Sequence, residues 1–272
     1  MNEKERVDTA LVARGHFTSR EKAQAAIMAG QVFIGERKVL KPSEPLRTGE
    51  ELILRKPKIE YVSRGALKLE KAIRVFKADL KDKVVLDIGA STGGFTDVSL
   101  HCGARKVYSV DVGYGQLDWR LRNDPRVIVM ERTNARYLTA DMLEETPDIT
   151  VMDVSFISIR TILPTAGELM GKEGVFYTLI KPQFEAGRGK VGKKGVVRDP
   201  ATHEDVLNGI VSFAEKNGWQ VVNLDFSPIK GPEGNIEFLA EIRRHEIDLP
   251  MVTEDKVHRV VTEAHQKMKG TV

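Results

Sequence analysis

The run Val84-Val-Leu-Asp-Ile-Gly-Ala-Ser-Thr-Gly-Gly-Phe-Thr96 restricts what this chain can fold into more than any other segment. Its apolar beginning is short enough for a buried strand and ends near Asp87. A glycine-rich turn follows, and Phe95-Thr-Asp-Val-Ser-Leu100 then has helical spacing. Strand, glycine turn and helix form the unit that lets a nucleotide-like ligand lie against bare backbone at the carboxyl end of a parallel sheet. The turn departs from the dinucleotide fingerprint G-x-G-x-x-G, because Ser91 stands where the second glycine belongs and Gly93-Gly94 closes the loop. A ligand without a pyrophosphate suits that pattern, and S-adenosylmethionine is the expected one. Asp87, Gly89, Ala90, Ser91, Thr92, Gly93, Gly94 and Phe95 are its expected neighbours in this turn.

From about residue 83 onward, strands are expected near 84–88, 106–111, 126–130, 148–153, 174–180 and 219–225, with helices between most of them. This alternation is the mark of a parallel sheet covered on both faces. Trp219–Phe226 and Asn235–Ile242 are joined by only eight residues, Ser227 to Gly234, so they must be antiparallel neighbours. The last helix is expected over Glu254 to Met268, with Val257, Val260, Val261 and Ala264 on one face.

Residues 1 to about 60 read as a separate module. Val7, Ala10, Leu11 and Ala13 mark one helix, and Ala23 to Met28 a second, with Thr18-Ser-Arg-Glu21 as its capping box. Gln31–Leu40 reads as a hairpin turning at Gly35-Glu36, followed by a strand at Glu51–Leu54. The module carries 12 Lys and Arg against 9 acids, an excess equal to the whole chain's net +3, so the remainder is close to neutral. Basic side chains at Arg6, Arg14, Arg20, Lys22, Arg37 and Lys38 on so small a module point to phosphate contact. The Gly- and Lys-rich run Gly187–Gly195, with Arg188 and Lys190, suits an RNA strand at the mouth of a cleft, and Arg64 is placed with it.

Several classes are disfavoured. No apolar run approaches the roughly 20 residues of a membrane span, and Met1–Arg6 has no apolar stretch behind it, so a cytoplasmic protein is expected. One cysteine, Cys102, allows neither an internal disulfide nor a thiolate cluster, and the six scattered histidines suggest no metal.

Chemistry gathers at the expected strand ends. Asp111 closes the second strand 22 residues after Gly89, where a carboxylate accepts from ribose hydroxyls. Asn134, after the third strand, is placed to bond an adenine edge. Asp153 and Lys181 end two further strands at the same edge. The strand before Lys181 is apolar enough to be central, which makes a lysine at its tip costly unless it is used. Glu237, between Ile236 and Phe238, is aimed by alternation at the same cleft, and Lys68 enters the domain from Ser63-Arg-Gly-Ala-Leu-Lys68.

These residues carry a resemblance. The first module resembles an S4 RNA-binding domain. The rest resembles the RrmJ/FtsJ-type ribose 2′-O-methyltransferases, whose glycine turn Asp-Leu-Gly-Ala-x-Pro-Gly-Gly-Phe/Trp is matched here except for Thr92 in place of proline. Together with Asp153-Val-Ser-Phe-Ile-Ser158, Lys181-Pro-Gln-Phe-Glu185 and Gly195-Val-Val-Arg-Asp-Pro200, the chain is similar to the TlyA (YqxC) family over nearly its full length. The resemblance implies a catalytic tetrad of Lys68, Asp153, Lys181 and Glu237, with Asp153 also at the cofactor. It implies S-adenosylmethionine-dependent 2′-O-methylation of cytidine in ribosomal RNA, and Lys181 is our expected general base. A non-catalytic RNA-binding or assembly factor is the alternative, as is the cytolysin suggested by the family's "haemolysin" label. The expected fold is α/β: a Rossmann-like class I methyltransferase with a parallel sheet and one terminal antiparallel hairpin, preceded by a small α+β S4 domain. The expected divisions are 1–55 (S4-like), 56–63 (linker) and 64–272 (methyltransferase), in a monomer whose partner is ribosomal RNA.

Overall fold

The computed structural model describes residues 5–28, 31–47, 49–54, 60–192, 194–246 and 249–269, apart from the side chain of Arg188. It divides into two compact units, 1–60 and 61–272.

In the first unit the order is β1 (Glu5–Arg6), α1 (Val7–Ala13), α2 (Arg20–Met28), β2 (Val32–Ile34), β3 (Arg37–Lys38), β4 (Pro45–Leu46) and β5 (Leu52–Leu54). Val7, Ala10 and Leu11 of α1 pack on Ala23 and Ile27 of α2 and on Val32 and Leu52 of the sheet. The hairpin pairs Ile34 with Arg37, which leaves Gly35-Glu36 as its two-residue turn, and Gly35 supplies the positive φ of 57° that such a turn requires. Two details differ from expectation. Lys22 N–H donates to Ser19 Oγ (3.4 Å), so the serine starts α2, while Thr18 Oγ1 accepts from the Lys22 ammonium instead. β1 and β4, paired antiparallel, are two residues each, too short to leave a periodic signal.

The second unit runs α3 (Ala66–Phe76), β6 (Val84–Ile88), α4 (Gly94–His101), β7 (Lys106–Val110), α5 (Trp119–Arg122), β8 (Val127–Met130), β9 (Ile149–Met152), α6 (Ile159–Glu168), β10 (Val175–Ile180), α7 (Pro182–Glu185), α8 (Pro200–Lys216), β11 (Trp219–Phe226), β12 (Phe238–Arg244) and α9 (Glu254–Lys267), with short 3-10 turns among them. Its seven strands lie in the order β11-β12-β10-β9-β6-β7-β8. All five β6 residues are buried, because helices cover both faces of the sheet. Leu86 and Ile88 pack with α6, α8 and α9, whose buried faces include Ile162, Ile210 and Val261. Val85 packs the other way, with Leu69 of α3 and Val98 of α4.

Only β12 runs against the rest, antiparallel to both β10 and β11. The expected hairpin exists, but its second strand is inserted next to β10 and its first strand becomes the sheet edge. The direction of chain travel reverses between β6 and β9, so the carboxyl ends of these strands flank a crevice. That is the switch point where open α/β sheets bind ligands.

Candidate active site

The glycine turn opens onto that crevice. A cavity of about 470 Å³ is lined by Gly89, Ser91, Asp111, Asn134, Asp153 and Ser155, among others, a size ordinary for a small-molecule site. Gly89 has φ +84°, and a Cβ there would stand 2.7 Å from the carbonyl oxygen of Asp153, so only glycine lets the loops after β6 and β9 touch. Asp111 accepts from Ser91 N–H (2.8 Å) and Gly113 N–H (2.7 Å), which ties the turn to the end of β7. Asn134 accepts from Arg136 N–H (3.1 Å), with its amide NH₂ available on the cavity wall.

The remaining turn residues do not line the cavity. A Cβ on Gly93 would strike Leu117 and Leu121, and one on Gly94 would strike Ser63, so these two glycines answer to packing. Phe95 and Ala90 are buried, and Thr92 is exposed. Asp87 is fully buried, accepts from Thr96 Oγ1 (2.6 Å), and leaves Oδ1 without a partner. Burial pushes its carboxyl up to about 7, against the pull of the Thr96 hydroxyl.

Four charged side chains from four elements converge beside the cavity. Asp153 follows β9 and Lys181 follows β10, strands whose register pairs Met152 with Thr178 and so keeps their tips adjacent. β12 pairs Phe238 with Ile180, so Glu237, one residue before the strand, stands across from Lys181. Glu237 therefore precedes β12 rather than lying inside it, and reaches the carboxyl edge because β12 starts there. Lys68 comes from the first turn of α3. Its Nζ lies 2.6 Å from Glu237 and 3.3 Å from Asp153 Oδ2, while Lys181 Nζ lies 2.6 Å from Asp153 Oδ1. Lys181 also donates to Ser155 Oγ at 2.8 Å. Lys68, Lys181 and Glu237 are each under 10% exposed, so these pairs interact through little water. Burial alone would lower the Lys68 ammonium, but Asp153 and Glu237 outweigh it and leave the lysine raised. Gly231 belongs to this arrangement too, since a Cβ there would stand 2.6 Å from Glu237 Oε1.

The residues expected to meet RNA divide into two kinds. In the first unit, the buried Asp8 receives Arg6 through two hydrogen bonds (3.0 and 2.9 Å) and Arg20 through one (2.9 Å), and Arg6 first among them holds the carboxyl far below its usual range. Arg37 pairs with Glu44 at 2.6 Å. Arg14, Lys22 and Lys38 are exposed with no carboxylate partner among the described residues. In the second unit, Arg64 donates to the Lys230 carbonyl (2.9 Å) and Lys190 pairs with Asp205 (2.6 Å). The Arg188 side chain lies outside the described residues.

Several cavity residues escaped sequence reasoning, Ser155 and Phe156 among them. Ser155 and Phe156 sit in the motif after Asp153, and only their place in that motif could have drawn attention to them. Phe156 is 91% exposed and has φ +64°, a conformation rare for a bulky residue.

The FtsJ-like methyltransferase model matches residues 61–244, and the S4 domain model residues 5–52. YqxC of Bacillus subtilis is 49% identical over 98% of this chain and 96% of its own length. The chain belongs to the FtsJ-like methyltransferase family, in its TlyA/YqxC branch. The 16S/23S rRNA (cytidine-2′-O)-methyltransferase TlyA of Mycobacterium tuberculosis is 42% identical, covering 97% of this chain and 99% of that one. A solved Streptococcus thermophilus structure bearing the name hemolysin is 46% identical with a TM-score of 0.74, covering 98% of this chain and 97% of that one. The hemolysin name thus travels with the methyltransferase architecture. Among the described residues, no helix is long and apolar enough to cross a membrane.

Proposed function

We propose that the protein transfers a methyl group from S-adenosylmethionine to the 2′-hydroxyl of a cytidine ribose in ribosomal RNA, with Lys181 as general base. The observation that carries this reading is the tetrad itself: two lysines and two carboxylates, chained by ion pairs of 2.6, 3.3 and 2.6 Å, beside a cavity at the sheet's switch point. The cavity's donor set suits the cofactor. Asp111 has acceptor capacity for ribose hydroxyls, and Asn134 offers an amide to an adenine edge. When bound, S-adenosylmethionine supplies a sulfonium methyl whose carbon–sulfur bond breaks as the ribose oxygen bonds to the carbon.

The protein's part is to move a proton and hold charges still. A ribose hydroxyl is a poor nucleophile until its proton is taken, and Lys181 Nζ is the group that takes it. Asp153 orients Lys181 and shares its second oxygen with Lys68. Lys68, held charged by Asp153 and Glu237, balances the carboxylates so that neither stands unpaired in a buried site. It and Glu237 position the ribose and its phosphate. Residues 1–55 grip the RNA through their exposed cations, 56–63 link, and 64–272 carry the chemistry, in a cytoplasmic monomer.

Incubating the purified protein with methyl-labelled S-adenosylmethionine and unmodified ribosomal subunits tests this directly. Label should enter RNA, and no transfer to any subunit or free rRNA would defeat the enzyme reading.

A further inference from the structure

We propose that Ser155 is a positioning residue for Lys181, a role that rests on Lys181 being the base. Lys181 Nζ faces two acceptors: the Ser155 hydroxyl, which receives a hydrogen bond at 2.8 Å, and Asp153 Oδ1 at 2.6 Å. A neutral amine has two N–H bonds and one lone pair, arranged tetrahedrally. Ser155 takes one N–H direction through a hydrogen bond, whereas the Asp153 contact is an ion pair without hydrogen-bond geometry, so it is the hydroxyl that fixes how the amine is turned and where the lone pair that receives the ribose proton is aimed. With Asp153 alone, the ammonium on its flexible four-carbon stem turns about the contact, and the lone pair has no fixed aim. A hydroxyl also does what a second carboxylate could not, since it accepts without adding negative charge that would hold the base protonated.

The loop around Ser155 is built to keep this hydroxyl in place. Phe156 adopts φ +64°, which turns the chain immediately after the serine, and its ring packs on Phe184 at 5.1 Å between centroids. Ser158 Oγ and Ile159 N–H both donate to Glu185, at 2.6 and 2.8 Å. Phe184 and Glu185 lie on α7, whose first residue directly follows Lys181. The segment bearing the acceptor is thus fastened to the helix that follows the donor. A bulky residue in a sparsely populated conformation persists only where its surroundings over-determine it, and these contacts supply that constraint. Ser155 also lines the cavity.

Steady-state methyl transfer by the full chain, with Ser155→Ala and Ser155→Thr beside wild type, tests the proposal on unmodified ribosomal subunits. Calorimetry with S-adenosylmethionine provides cofactor affinity separately. For Ser155→Ala the expected result is a kcat lowered about 10- to 100-fold. KM for RNA and cofactor Kd should stay within about twofold, the pattern of a loss felt at the transition state. Ser155→Thr, which keeps the hydroxyl at an exposed position, should restore most of the rate. An alanine variant with wild-type kcat, a loss confined to cofactor Kd, or a threonine variant no better than alanine would each overturn the role. Absence of transfer by the wild-type protein would instead defeat the methyltransferase reading, so the two failures are told apart in one experiment.

Discussion

At the scale of single residues, the site is a balance of buried charges. Lys68 is shared by Asp153 and Glu237, so removing it strands Glu237 while Asp153 keeps Lys181, whereas removing Lys181 leaves both carboxylates paired with Lys68. Asp87 is different: it is buried with no cation paired to it among the described residues, and burial pushes its carboxyl up to about 7 against the hydrogen bonds from Thr96. Between the unfolded value near 4 and the folded value the native state binds more protons, so this group lowers stability as pH rises through that window. Asp87→Asn should therefore stabilise the cofactor-free protein more at pH 8 than at pH 5, by about 1–3 kcal/mol. Urea unfolding at both pH values checks it, and equal effects at the two would contradict it. Asp87 was legible in the sequence as part of the turn, but its isolation was not, because Thr96 and Ser109, 2.7 Å apart beside it, meet only after α4 packs on β7.

Among the elements, register does what spacing cannot. Lys181 and Asp153 could be placed from sequence because parallel strands put their carboxyl tips at one edge. Glu237 could be suspected, but its place depends on β12 entering beside β10 with Phe238 across from Ile180, a pairing no local pattern encodes. Gly93 and Gly94 show the converse: they read as cofactor glycines, yet the atoms that forbid a side chain there are Leu117, Leu121 and Ser63, distant in sequence. The joint between α8 and α9 was not legible at all. His203 Nδ1 meets His265 Nε2 at 2.9 Å, His203 stacks edge-on against Phe238, and Asp199 lies near it. Burial first, then the neighbouring His265, pushes His203 down to about 4. The unfolded chain binds this proton more tightly, so the joint contributes stability above about pH 6.5 that is lost as pH falls toward 4. His203→Phe should flatten the loss of stability between pH 7 and 5 by about 1–3 kcal/mol. Chemical denaturation across that range reads it, and an unchanged slope would rule the histidine out.

For the whole molecule, two units carry two kinds of chemistry, and the sequence separated them by composition: a basic module of short elements, then a near-neutral α/β body. Charge counting overstated the free cations of the first unit, since Arg6, Arg20 and Arg37 are engaged by Asp8 and Glu44. Arg14, Lys22 and Lys38 are the better candidates for phosphate contact. Replacing those three with alanine should weaken RNA binding at low salt and reduce the slope of log affinity against log salt by about 2. An unchanged slope would remove the first unit from the RNA interface. The central claim is that Lys181 activates a ribose hydroxyl. Its most direct test is to map label from S-adenosylmethionine in ribosomal RNA by nuclease digestion and mass spectrometry, for wild type and Lys181→Ala. The account predicts methyl on a cytidine 2′-oxygen with wild type, and a rate lowered about 10²- to 10⁴-fold in the variant with cofactor affinity retained. Label on a base, or near-normal turnover by Lys181→Ala, would contradict it.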